Sequence, residues 1–218
     1  AQMGIGTAIL GYADQDVDDA VKLAIDKGIN TTLNCPEEFL LAQKLLDLNP
    51  FAGAVKFTRT GGEAMAMAVR IARAFSGKDK IAFSGYHGWH DWYISANLGG
   101  DNLSHHLLSG VKPKGVPCGL KDTAFPFEYN NIEDLNRVIN EQDIGTLVIE
   151  GPRYEYPTQE FLSAIQNICT EKNITIIVDE ITSGWRVTNG GVYKIFDFHP
   201  DMVVYGKGMG NGYAISSV

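Results

Sequence analysis

Two kinds of hydrophobic pattern alternate along the chain and predict helices between buried strands. Apolar residues recur at helical spacing in five segments, which are Asp16–Lys27, Glu37–Leu48, Glu63–Phe75, Ile132–Asn140 and Gln159–Lys172. Short apolar or β-prone runs predict strands at Ala54–Thr58, Ile81–Phe83, Thr146–Ile149, Ile174–Val178 and Met202–Tyr205. Wholly apolar strands separated by helices predict an α/β fold with a mostly parallel sheet sandwiched by helices. The segment Leu98–Phe127 is rich in Gly, Pro and Asn without a clear period, which predicts a long functional or mobile loop.

Composition narrows the classes of partner. The 218 residues carry 18 basic and 26 acidic side chains and a net charge of −8, which argues against a nucleic-acid or membrane-surface partner. No apolar run approaches the ~18–20 residues that span a bilayer, and residues 1–4 show no start of a signal peptide. Cys35, Cys118 and Cys169 are odd in number and widely spaced, which favours a reducing, cytoplasmic location over a disulfide framework.

Ligands in an open parallel sheet bind beyond the carboxyl ends of the strands, so residues after each predicted strand are the first candidates. The turn Thr60-Gly61-Gly62-Glu63 has the spacing of a capping box, and its glycines allow a ligand to approach the backbone. Free N–H groups at a helix start favour a phosphate. An ordinary, well-capped turn is the alternative interpretation.

An aromatic segment, Gly85–Tyr93, follows the next predicted strand. It holds two imidazoles and several rings, a composition that suits stacking on a planar ligand with polar groups at its edge. His87, His90 and Asp91 also allow a metal site. A loop of aromatic residues packed on the core is the third interpretation.

Charged residues follow two later strands. Burial of Asp179 and Glu180 is costly without partners, so they predict a carboxylate bound to a cation or a protonated ring nitrogen, or else a helix cap. Lys207 follows the run MVVY between two glycines, where partial desolvation would lower its pKa and make the amine nucleophilic. A snorkelling surface lysine and a dinucleotide-binding turn are the alternatives.

The four positions are more specific together than singly. A lysine for a Schiff base, an aspartate for a pyridinium nitrogen, a ring to stack and a glycine-rich helix start for a phosphate make the protein half of a pyridoxal phosphate site.

Two stretches also carry a family resemblance: FTRTGGEAMAMAVRIARAFSGKDKIAFSGYHGWHDWY at 57–93 and IIVDEITSGWRVTNGGVYKIFDFHPDMVVYGKGMGNG at 176–212. They resemble the class III, fold-type I, pyridoxal-phosphate-dependent aminotransferases. Within that family the sequence is most similar to glutamate-1-semialdehyde 2,1-aminomutase and to related aminotransferases of surface-polysaccharide and nonulosonate pathways. Weaker similarity covers most of the remainder.

The resemblance implies roles for the strand-end residues. Lys207 would form the Schiff base with the cofactor and shuttle protons at the substrate carbon, and Asp179 would pair with the pyridine nitrogen. Thr60, Gly61 and Gly62 would hold the cofactor phosphate. Relatives usually have a hydroxyl side chain in this turn, so Gly62 would leave more of the binding to backbone donors.

Four further roles rest on the same resemblance. Tyr86 would stack on one face of the cofactor ring with His87 beside it, and Ile181 would pack on the other face. Glu150 matches an acid near the cofactor hydroxyl. No metal is expected.

The implied function is pyridoxal-phosphate-dependent amino-group transfer between small-molecule amines and carbonyl compounds, by an aminotransferase or a 2,1-aminomutase. A homodimer with shared active sites is implied, and Arg153 and Arg186 are candidates to bind a substrate carboxylate. Two alternatives stay open: a non-catalytic binding module or inactive remnant, and a metal hydrolase that uses His87, His90 and Asp91.

The resemblance also bears on domain organisation. Family members are considerably longer, so residues 1–218 are expected to be the cofactor-binding large domain, incomplete and without the N-terminal segment and C-terminal small domain.

Overall fold

A computed structural model describes residues 3–30, 32–106 and 109–218. Its helices are α1 (Met3–Gly6), α2 (Gln15–Lys27), α3 (Pro36–Leu48), α4 (Gly61–Ser76), α5 (Asp91–Ile94), α6 (Ile132–Glu141) and α7 (Gln159–Lys172). Its strands are β1 (Phe57–Thr58), β2 (Lys80–Ser84), β3 (Ala124–Pro126), β4 (Ile144–Glu150), β5 (Thr175–Asp179), β6 (Met202–Val204) and β7 (Ser216–Ser217). Single 3₁₀ turns occur at Ser95–Leu98, Cys118–Leu120, Val192–Phe196 and Lys207–Gly210.

The centre of the molecule is a five-stranded sheet in the order β3-β2-β4-β5-β6. All four pairings are parallel, and the register places Glu150 of β4 beside Asp179 of β5. Every residue of β4 is buried, because helices cover both faces of the sheet. The predicted α/β fold with a mostly parallel sheet sandwiched by helices is therefore confirmed.

Alternate residues of the strands feed two separate hydrophobic cores. Val148 of β4 packs under α4 and α5, whereas Leu147 and Ile149 pack under α6 and α7. Helix α4 crosses β4, β5 and β6. Its inner face is built from small and flexible side chains, which let the helix lie close to the sheet: Ala64, Met65, Ala68, Val69 and Ala72.

Two predictions about strands are wrong. The β-prone run Ala54–Thr58 forms only the two-residue β1, which pairs antiparallel with β7 in a separate sheet, Phe57 opposite Ser217. The predicted loop Leu98–Phe127 contains β3, because Ala124–Pro126 pairs in parallel with β2 at the edge, where a proline is tolerated. Residues 107 and 108 of that segment, and residues 1 and 2 at the start, lie outside the described residues.

None of the helices within the described ranges has the length and apolar character that crossing a bilayer requires.

Candidate functional site

A cleft of about 300 Å³ opens where β2, β5 and β6 end and α4 begins. The residues predicted from the sequence that line it are Thr60, Gly61, Gly62, Tyr86, His87, Asp179, Ile181 and Lys207. Segments more than 140 residues apart in sequence thus meet in one place, as the strand-end rule predicts. Of the residues predicted to bind the cofactor, Glu150 lies outside the lining of this cleft.

The glycine turn at the start of α4 is both a helix cap and a close-packed wall of the cleft. Thr60 Oγ1 accepts a hydrogen bond from Glu63 N at 3.2 Å, and Glu63 Oε2 accepts one from Thr60 N at 3.1 Å. A Cβ atom on Gly61 would lie 2.7 Å from Ile181 Cδ1. The capping interpretation is therefore correct, and it is compatible with ligand binding.

The capping box leaves donors available beside the cleft. The N–H groups in the first turn of a helix have no partner inside the helix, and the cap satisfies that of Glu63. The N–H groups of Gly61 and Gly62 have no hydrogen-bond acceptor within the described part of the chain. Two free donors at the positive end of a helix dipole are a site for an anion.

Asp179 is a buried carboxylate that is fixed from two directions. Its Oδ2 lies 2.8 Å from His87 Nδ1, and its Oδ1 accepts a hydrogen bond from Ile181 N at 3.0 Å. The other ring nitrogen of His87 lies 3.2 Å from the carbonyl oxygen of Ser84. These contacts fix the orientation of the carboxylate at the cleft, where it is placed to accept a hydrogen bond from a ligand nitrogen.

This pairing argues against the metal-hydrolase interpretation. Both nitrogens of His87 are engaged by oxygen atoms, and His90 lies against Gly62. Among the residues that the structure describes, no group of three or more His, Cys, Asp and Glu side chains is arranged to hold a metal ion.

Glu180 has a structural role, although it follows Asp179 directly. Its side chain is fully buried and accepts hydrogen bonds from the Ser183 hydroxyl and from Tyr193 N at 2.9 Å. Burial raises the pKa of this carboxyl group. The two acids thus separate: Asp179 lines the cleft, and Glu180 ties the following loop to the turn at Val192–Phe196.

Lys207 lines the cleft, in a backbone conformation with φ of 44° at the start of a 3₁₀ turn. Its Nζ donates to Thr182 Oγ1 at 2.8 Å. Burial lowers the pKa of the amine, and the nearby Arg153 charge lowers it further. Thr182 also lines the cleft but was missed from the sequence; its position three residues after Asp179, in the same strand-end loop, is a usable signal.

Glu150 and Arg153 lie at the border with a second cleft of about 310 Å³, which shares Tyr86 and Arg153 with the first. Glu150 forms an ion pair with Arg153 and accepts from Tyr86 N at 3.0 Å. The Arg153 guanidinium lies 5.7 Å from the centre of the Tyr86 ring. Arg186 donates instead to the carbonyl oxygens of Thr182 and Gly6.

With this geometry described, comparison with known proteins identifies the family. Over residues 1–218 the chain matches the model of the class-III aminotransferases. The chain belongs to this family. The resemblance seen in the sequence is thereby confirmed.

Similar proteins with known names support the same family assignment. The chain is 33% identical over 222 residues to 3-aminobutyryl-CoA aminotransferase of Cloacimonas acidaminovorans, which covers 98% of this chain and 50% of that protein. It is 34% identical over 219 residues to glutamate-1-semialdehyde 2,1-aminomutase of Campylobacter hominis, with 97% and 48% covered. The chain therefore spans about half the length of the curated relatives it matches.

The fold is also similar to that of a solved transaminase. A solved transaminase with PLP bound superposes with a TM-score of 0.88 at 26% identity, covering 99% of this chain and 51% of that one. The class-III family and this neighbour support fold type I and pyridoxal phosphate as the cofactor.

Proposed function

We propose that this chain binds pyridoxal phosphate and performs amino-group transfer between small amines and carbonyl compounds, as an aminotransferase or as a 2,1-aminomutase. The observation that carries the proposal is the convergence of Lys207, Asp179 and the Gly61–Gly62 turn on one cleft. The family match over the whole chain supports it.

The residues of the cleft fit the cofactor group by group. The free N–H groups of Gly61 and Gly62 would take the phosphate, with Thr60 shaping the turn. Asp179, oriented by His87, would take the protonated ring nitrogen. When bound, the cofactor supplies an aldehyde that reacts with amines and a ring that withdraws electrons from the substrate carbon.

Two side chains would enclose the cofactor ring. Tyr86 lines one side of the cleft and offers an aromatic face for stacking. Ile181 packs against Gly61 and lines the same cleft, and by the family resemblance its apolar side chain would cover the other face of the ring. Glu150, through its bond to Tyr86 N, would act at the border of the site near the cofactor hydroxyl.

Lys207 would be the catalytic residue. Because burial and Arg153 lower the pKa of the amine, a larger fraction would be uncharged and available as the nucleophile for the cofactor aldehyde, whose oxygen would leave as water. The same nitrogen would serve as the base that holds and moves the proton of the substrate carbon. Asp179 would hold the proton on the ring nitrogen during this transfer.

We further propose that residues 1–218 correspond to the large, cofactor-binding domain, and that the protein acts as a cytoplasmic homodimer. The half-length match to relatives supports the domain assignment. Three free cysteines, Cys35, Cys118 and Cys169, support a reducing compartment. Exposed apolar side chains near the N-terminus, such as Phe39 and Leu40, support association with another surface.

The proposal is tested with the purified chain and added pyridoxal phosphate. We expect a visible absorption band that Lys207→Ala abolishes and that Lys172→Ala, at an exposed helix end, retains. Incubation with candidate amines, followed by mass spectrometry of the carbonyl product, tests transfer itself. A band without product from any amine would favour the non-catalytic binding module, and no band at all would contradict the proposed function.

A further inference from the structure

Arg153 has a position that substrate binding does not explain. Its Nε lies 3.0 Å from Glu150 Oε1, and one of its terminal nitrogens bonds the same oxygen. That terminal nitrogen, Nη2, also donates to Thr182 Oγ1 at 3.1 Å. A guanidinium already paired with a carboxylate is a poor receptor for a second one, so the structure does not favour Arg153 as the site of a substrate carboxylate.

Thr182 connects this arginine to the proposed catalytic amine. Its hydroxyl oxygen accepts from Arg153 and from Lys207 at 3.1 and 2.8 Å. A hydroxyl oxygen has two lone pairs, and these two donors occupy both. Glu150, Arg153, Thr182 and Lys207 therefore form one continuous chain of polar contacts, anchored in the buried end of β4.

Charged groups of both signs surround Lys207. Asp179 at the end of β5 and Glu150 at the end of β4 favour its protonated form, whereas Arg153 and Arg186 disfavour it. The other titratable side chains that line the same cleft are Arg59, Tyr86, His87 and Tyr213. Arg186 directs its guanidinium to backbone oxygens, so Arg153 is the cation joined to Lys207 through a shared hydroxyl.

We propose that Arg153 is a positioning residue, which through Thr182 holds the Lys207 amine at the cleft and whose positive charge opposes protonation of that amine when it is not bonded to the cofactor. This inference rests on the proposed function of Lys207. A guanidinium stays charged throughout the physiological pH range, so its effect on a neighbouring amine does not fade as the pH changes. Glu150 fixes the guanidinium and so sets the distance at which it acts.

The test measures the protonation of Lys207 directly, in the chain without cofactor. The amine is labelled competitively with acetic anhydride across a pH series, and the Lys207 peptide is read by mass spectrometry. The labelling curve gives the titration midpoint, which is the pH at which half of the Lys207 amine is protonated. Exposed Lys44 serves as the internal reference. We expect Arg153→Gln to move the Lys207 midpoint to higher pH and to reduce its labelling several-fold below that midpoint. Glu150→Gln should move it the other way, because it removes an opposing negative charge.

Conservative and remote variants separate charge from general damage. Arg153→Lys retains the positive charge and should stay close to the native midpoint, and Arg137→Gln, on the exposed face of α6, should leave it unchanged. Should Arg153→Gln fail to fold, the Lys and Glu150→Gln variants still test the proposal. Equal midpoints in native and Arg153→Gln protein, or shifts of the same sign in Arg153→Gln and Glu150→Gln, would overturn it. Because no cofactor is present, the result is independent of whether the chain performs amino transfer.

Discussion

Helices α2 and α4 are both amphipathic in sequence, yet they differ in how far the fold buries them. Helix α4 buries five side chains against the sheet, whereas α2 buries none. Leu23 and Ile25 of α2 are more than half exposed. A polar contact links α2 to the segment before β7, where the Tyr213 hydroxyl donates to Asp18 Oδ1 at 2.9 Å.

Hydrophobic periodicity therefore predicts a helix but does not specify the surface that the helix contacts. Both helices have a proper start, with Asp14 capping α2 and Thr60 capping α4. Small side chains do not explain the difference, since α2 also carries Ala20, Val21 and Ala24 and yet buries none of its residues. The apolar side chains of α2 are consistent with the proposed association with a second surface.

The largest expected effect is on the core under α4. Met65→Ala removes a fully buried side chain and should lower the free energy of unfolding by about 2–5 kcal/mol. Leu23→Ala in α2 should change it by less than about 0.5 kcal/mol in this chain alone. Urea unfolding of both variants measures the difference, and equal losses would contradict the comparison.

The next effect concerns the ligand end of α4. Gly61→Ala places a methyl group 2.7 Å from Ile181 Cδ1 and should weaken pyridoxal phosphate binding by roughly tenfold, about 1.4 kcal/mol. Gly53→Ala is the matched control, since a Cβ there meets no atom within 4 Å. Spectroscopic titration gives both Kd values, and an unchanged value for Gly61→Ala would remove the turn from the site.

A third prediction uses pH. Burial lowers the pKa of His106, which lies beside Phe83, from 6.5 to about 4. The unfolded chain binds a proton that the folded chain resists, so stability is full above pH 6.5 and falls as the pH drops towards 4. We expect a loss of about 1 kcal/mol between pH 7 and pH 5.5. His106→Asn should flatten this dependence, whereas His199→Asn, at an exposed site, should not.

The smallest expected effects on stability concern the residues that cap the N-termini of α4 and α2. Thr60→Ala should cost about 1 kcal/mol, because α4 is part of the cooperative core. Asp14→Ala removes the equivalent bond to Val17 N but should fray α2 locally, with little change in global unfolding. Hydrogen exchange of the two helices distinguishes local from global opening. Equal global losses would show that α2 belongs to the same cooperative unit.

Much of the fold follows from the local hydrophobic pattern. The two wrong predictions concern β1 and β3, whose pairing depends on residues distant in sequence. The central residues of β4 and β5, 147–149 and 176–178, are apolar runs, so their burial between two helical layers was predictable. In contrast, β1 owes its pairing to Ser216 and Ser217, about 160 residues away, and β3 is three residues ending in Pro126. Neither has a periodicity that a sequence window detects.

The candidate site divides in the same way. Lys207, Asp179 and the Gly61–Gly62 turn stand directly after strands, so their convergence could be predicted from topology. The His87–Asp179 pair joins residues 92 apart, and the link from Lys207 through Thr182 to Arg153 depends on side-chain geometry. Such contacts are set by packing and leave no spacing signal.

The most direct test of the central claim is to locate the bond between the chain and its cofactor. The native protein is incubated with pyridoxal phosphate, reduced with borohydride, digested and analysed by mass spectrometry, with Lys207→Ala and Lys172→Ala treated in parallel. The account predicts one stoichiometric modification, at Lys207, that the Lys172→Ala protein keeps and the Lys207→Ala protein lacks. Modification spread over surface lysines, or retained at full stoichiometry in Lys207→Ala, would contradict it.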